Sequence, residues 1–132
     1  MGYCNKFLKG KADAFYVIFR ILVGCMFFLH GAGKLFGWFG GPGMGFSGLM
    51  GFVGVVEFLA GLGILLGFFT RLSATGGAII MLGAYVTKHL DWNPLASGGE
   101  LAALYFAAFL VLMVYGAGKW CLERKLLGKE TF

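Results

Sequence analysis

Residues able to hold charge or move protons stand inside, or at the edges of, long apolar stretches of this chain. Arg20, His30 and Lys34 lie in the first stretch and Glu57 in the second; Tyr85, Lys88 and His89 end the third, and Glu100 opens the fourth. A charged side chain at bilayer depth costs about 2.5–3.5 kcal/mol or more on insertion scales, so it turns toward a protein interior and finds a partner. His30 and Lys34 are four positions apart and share one face of a helix. An imidazole gives and takes protons near neutral pH, and a nearby carboxylate can receive them. His30 and Glu57 are therefore the candidate catalytic, proton-handling pair. Arg20, His30, Lys34, Glu57, Tyr85, Lys88, His89 and Glu100 form the candidate binding set, with Asn93 beside them, suited to an anion or to carbonyl oxygens. Two plainer readings compete with these. Glu57 and Arg20 could form a buried ion pair that only fixes helix register, and Lys34, Lys88, His89 and Glu100 lie near enough to the interface to snorkel.

The elements that must position these groups are long apolar helices. The 132 residues are 59% hydrophobic and 13% charged, with a mean hydropathy of +0.83, against roughly 25% charged in soluble domains. A span needs about 20 apolar residues. Four fit, at about 13–36, 47–69, 73–89 and 99–117, and they use up most of the chain. The expectation is a single all-α domain over 1–132, an integral membrane four-helix bundle. Residues 1–12 read as an interfacial segment and 118–132 as an amphipathic tail. The first span is too long for a signal peptide and lacks an A-x-A cleavage site, so it reads as a retained anchor. A Gly/Pro loop covers 37–46, a short turn near Thr70–Arg71 makes spans two and three antiparallel neighbours, and 90–98 form a polar turn. The 24 glycines are spread through the spans, including a Gly63–Gly67 pair, and imply close helix packing.

Eight of the eleven cationic residues fall in the N-terminal segment, at Arg71 or in the tail. Both termini are thereby assigned to the cytoplasmic side of the cell membrane. Along 1.5 Å per residue, His30 then lies roughly 9 Å and Arg20 roughly 24 Å below the outer end of span one, with Glu57 roughly 15 Å down span two. The polar residues gather in the outer half of the bundle, with Glu57 as the floor of a pocket and His30 or Arg20 as its partner. Trp38, Trp92 and Trp120 read as interfacial anchors. The net charge of +5 flanks apolar spans and makes no patch for nucleic acid. Cys4, Cys25 and Cys121 form no CxxC pair and have no metal-ligand spacing. They read as unpaired thiols, and there is no nucleotide-binding loop.

Three segments carry a family resemblance: RILVGCMFFLHGAGKLFGWFGG from Arg20, VVEFLAGLGILLGFFTRLSA from Val55, and NPLASGGELAALYFAAFLVLMVYGAGK from Asn93. In this order and spacing the chain resembles the DoxX-type membrane proteins over nearly its whole length. The resemblance implies a four-helix membrane bundle. Some members are linked to quinone-dependent oxidation of sulfur compounds such as thiosulfate, or to membrane redox complexes handling thiols and superoxide. Where many relatives have a GPG-type turn and Ser-Leu-Asp, this chain has Gly116-Ala117-Gly118 and Cys121-Leu122-Glu123.

The expected function is a membrane subunit of a quinone-linked oxidoreductase system, its outer-half pocket binding a quinone head or small anion. Redox chemistry would come from the quinone or from partner membrane subunits, since no other cofactor motif is present. A non-catalytic assembly subunit of a larger complex is one alternative. A small anion or weak-acid transporter is another, although four spans without an inverted repeat would need to form a homo-oligomer for that task.

Overall fold

The computed structural model describes residues 3–88 and 99–130. They form helices α1 (Tyr3–Leu8), α2 (Ala12–Phe36), α3 (Gly48–Leu66), α4 (Thr70–Lys88), α5 (Gly99–Tyr115) and α6 (Leu122–Leu127), with no strand among the described residues. Helices α2 and α3 are long and apolar enough to cross a membrane, and α5 is apolar over 17 residues. Large apolar side chains such as Phe52, Leu59, Leu72, Leu82, Leu104 and Val114 point outward along α3, α4 and α5. Such a surface suits hydrocarbon and not water.

Glycine decides where the helices stop. Gly37 and Gly67 take left-handed backbone at the ends of α2 and α3, which only glycine adopts without penalty. After Gly37 a short 3-10 turn at Trp38–Gly40 folds the loop back. The N–H groups of Gly43, Met44 and Gly45 then bond the carbonyls of Gly33, Lys34 and Leu35, satisfying acceptors the helix end leaves open. The second turn lies at Gly67–Phe69, three residues before the expected Thr70–Arg71, because Gly67 breaks the helix first.

Helices α2 and α3 pack antiparallel with their backbones in contact. A Cβ at Gly24 would strike the main chain of Leu65, one at Gly31 that of Phe58, and one at Gly61 that of Phe28. The seam is thus built on Gly24, Gly31, Gly54 and Gly61, and the Gly63–Gly67 pair serves the turn instead. Helices α4 and α5 form a second close pair, where Gly77 leaves room for the Phe109 ring. The two pairs meet mainly through α3 and α4, while the backbones of α2 and α5 stand farther apart and the two helices touch through aromatic side chains. The core between them holds Phe27, Ile64, Phe109 and Leu112, all fully buried, with Phe27 and Phe109 edge to face at 4.7 Å.

The start of α2 and the segment after α5 meet at one end of the bundle, called here the near end. Tyr16 Oη donates to Gly116 O at 2.5 Å. The Arg20 guanidinium donates to Ala117 O and, at 2.7 Å, to Trp120 O. The Phe69 N–H donates to the buried Glu123 carboxylate at 3.2 Å, tying the α3–α4 turn to α6. Glu130 accepts from the Ala117 N–H at 2.7 Å and pairs with Arg124 at 3.5 Å and Arg71 at 3.9 Å. These bonds strap the turn after α5 across the near end. Arg71 and Arg124, read from the sequence as topology signals, are also members of this network.

Candidate functional site

At the opposite, far end the four long helices separate around a cavity of about 490 Å³. Its walls are apolar: Leu49, Met50 and Val53 from α3, Ile79, Ile80 and Met81 from α4, Leu101 and Ala102 from α5. Its polar groups are few and convergent. His30 and Lys34 come from one face of α2, Glu57 from α3, Thr87 from α4 and Tyr105 from α5. An apolar chamber with a few polar groups in fixed places is the usual form of a small-molecule site.

The centre of the site is an ion pair. Lys34 Nζ donates to Glu57 Oε2 at 2.5 Å, with the Glu57 side chain 2% exposed and that of Lys34 21% exposed. The glycine seam sets this distance. Gly54, one turn before Glu57, lies against the Cβ of Lys34 and the tip of Leu35, so the two helices are close enough for the lysine to reach the carboxylate. One turn below Lys34, the His30 ring meets the Tyr105 ring edge to face, centroids 5.7 Å apart. Tyr105 in turn packs on Phe27 and Phe109, which fixes its position at the cavity's edge. The imidazole can both donate and accept, the phenol can donate, and the carboxylate can accept.

This arrangement changes the sequence reading in several places. Glu57 pairs with Lys34, where His30 or Arg20 was expected, because the i, i+4 step from His30 to Lys34 and the glycine contact bring the lysine onto α3. Arg20 is buried but lies at the near end on the carbonyls of Ala117 and Trp120, away from the cavity. Tyr85 packs against the hydrophobic core and does not line the chamber. Glu100 is exposed in the first turn of α5, where a carboxylate suits the helix dipole. Lys88 closes α4; its side chain, with His89 and Asn93, lies outside the described residues. The structure therefore brings together His30, Lys34 and Glu57 from the expected set. Tyr105 and Thr87 were missed. The signal for Tyr105 was a polar-tipped ring at the middle of an otherwise apolar span.

A family model described as DoxX matches residues 15–90, which contain His30, Lys34 and Glu57 but stop short of Tyr105. A relative from Haemophilus influenzae, described as an uncharacterized protein, is 35% identical over 124 residues, covering 87% of this chain and 92% of its own length. No solved structure matches the chain.

Proposed function

The chain belongs to the DoxX family, and from that premise we propose that it is a multi-pass protein of the cytoplasmic membrane whose far-end cavity binds the head of a quinone, as a subunit of an oxidoreductase system. In this reading α2, α3, α4 and α5 are the four spans. The near end, with its excess of Lys and Arg, faces the cytoplasm with both termini, and the cavity opens in the outer half of the bilayer.

The observation that carries the reading is the balance of charge inside an apolar chamber. Lys34 and Glu57 neutralise one another, so an anion entering the site would have to break a buried ion pair to gain a cation. A neutral ring bearing carbonyl oxygens meets no such obstacle. It would lie against the Ile, Leu and Met walls and take hydrogen bonds from His30 and Tyr105. When bound, a quinone supplies two-electron, two-proton redox chemistry. The protein's share is to hold the ring, keep water from it and handle protons, with His30 at the ring and the Lys34–Glu57 pair behind it.

The test is to purify the protein gently from its native membrane, extract bound small molecules and quantify quinone by mass spectrometry. A His30→Ala, Tyr105→Phe variant, which keeps the ion pair, is the comparison. Near-stoichiometric quinone that falls several-fold in the variant supports the reading. Quinone absent from both, with a bound small anion in its place, would refute it in favour of an anion site. An empty bundle held in a large complex would make the chain an assembly subunit.

A further inference from the structure

A second concavity lies at the near end, and its character is opposite to the first. It measures about 510 Å³ and is bounded by Leu66 at the end of α3, by Lys119, Trp120 and Cys121 after α5, and by Leu122, Arg124 and Lys125 of α6. It combines three cations with an apolar shelf, and no carboxylate lines it. Two acids reach the cations from outside. Asp13 pairs with Lys119 at 2.7 Å, both side chains more than half exposed, and Glu130 pairs with Arg124 at 3.5 Å. Lys125 has no ion pair among the described residues. An exposed pair such as Asp13–Lys119 contributes little, so Lys119 is free to exchange its partner for a stronger anion.

The shelf is held in shape. Arg20 bonds the carbonyls on either side of Lys119, at Ala117 and Trp120, and the Glu123 N–H donates to Gly67 O at 3.2 Å. On this fixed base Trp120 is 62% exposed and Leu66 is 45% exposed. A Trp at the end of a span sits at headgroup level, so the apolar shelf faces acyl chains while the cations face the layer of phosphates.

We propose that this cleft binds an anionic phospholipid, its headgroup phosphate on Lys119, Arg124 and Lys125 and its upper acyl chain on Leu66, Trp120 and Leu122. The match is one of charge and of amphiphilic shape: clustered cations beside a span recognise anionic headgroups, each adding about fivefold to local attraction. The site depends on the chain being in a membrane and is independent of what the far-end cavity holds.

The experiment uses the full chain carrying Trp38→Phe and Trp92→Phe, so that Trp120 is the only tryptophan. It is reconstituted in vesicles in which either phosphatidylglycerol or phosphatidylcholine, at equal mole fraction, is brominated near the top of its chains. The expected result is preferential quenching of Trp120 by the brominated phosphatidylglycerol, corresponding to roughly a fivefold enrichment or more at the site. A Lys119→Gln, Arg124→Gln, Lys125→Gln variant is expected to lose the preference, and Lys125→Gln alone to reduce it while both outside ion pairs stay intact. Equal quenching by the two lipids, or a preference that survives the triple substitution, would overturn the proposal. So would millimolar inorganic phosphate abolishing the preference at constant ionic strength, since the cleft would then be taking free phosphate.

Discussion

Removing Lys34 should destabilise the protein far more than removing both members of its ion pair. At 2.5 Å and an effective dielectric of about 20, the gross attraction between Lys34 and Glu57 is about 6–7 kcal/mol. Each ion has already lost several kcal/mol of solvation on burial, so the net value of the pair is small. The two partners differ in what they leave behind. With Lys34→Met, the Glu57 carboxylate, only 2% exposed in the parent, loses its cation, which costs about 3–5 kcal/mol. With Glu57→Gln, Lys34 keeps a flexible stem and a side chain 21% exposed, so it can lift its ammonium toward the interface and the loss is smaller. The double variant, an apolar side chain facing an uncharged amide, should return to within about 1–2 kcal/mol of the parent. The assay is reversible unfolding in mixed micelles of increasing SDS fraction, followed by circular dichroism, for the parent, both single variants and the double. Losses that simply add, or a Lys34→Met protein as stable as the parent, would refute the reasoning. Either would mean that the carboxylate finds other partners and that the pair does not organise the cavity.

Other outcomes follow from the packing. Gly31→Ala and Gly61→Ala each place a methyl on the backbone of the facing helix, and each should cost about 1–3 kcal/mol in the same assay. Gly76→Ala, where the nearest atom is Val56 Cγ1 at 3.9 Å, should instead stabilise by about 0.5–1 kcal/mol. Arg20→Leu removes both charge-assisted bonds to the turn after α5. It should cost about 3 kcal/mol or more and speed cleavage by trypsin at Lys119, Arg124 and Lys125, read by mass spectrometry. Tyr105→Phe keeps the ring between Phe27 and Phe109. It should change stability by less than about 1 kcal/mol while weakening quinone retention, measured on the purified protein.

The helices were legible because apolar length and flanking charge are properties of the sequence itself. The spans expected at 13–36 and 99–117 differ from α2 and α5 by no more than two residues at either end. The α3–α4 turn was misplaced because Thr70–Arg71 looks like a polar break, whereas the chain reverses where Gly67 can turn left-handed. His30, Lys34 and Glu57 were found because charge in an apolar run is conspicuous. Their pairing was not, since depth along a helix says nothing about rotation around it, and rotation is set by which glycines face each other. Tyr105 and Glu123 escaped for related reasons. A tyrosine is common in membrane helices, and nothing local marks Glu123 in a basic tail as the buried acid that accepts the Phe69 N–H.

The near-end strap and the glycine seam together imply a mechanical division of labour. The α2–α3 pair is welded by main-chain contact and the α4–α5 pair by Gly77 and Phe109, while α2 and α5 meet through side chains. Bolts at Tyr16, Arg20, Glu123 and Glu130 fix the near end, and the rings of Phe27, His30, Tyr105 and Phe109 bridge α2 and α5 farther along. The molecule is then two stiff arms, bolted at the near end and clasped by aromatic rings at the chamber's edge. Arg20, two to three turns of α2 away from His30, anchors the bolted end, so the spacing of the arms at the chamber rests on the rings of Phe27, His30 and Tyr105.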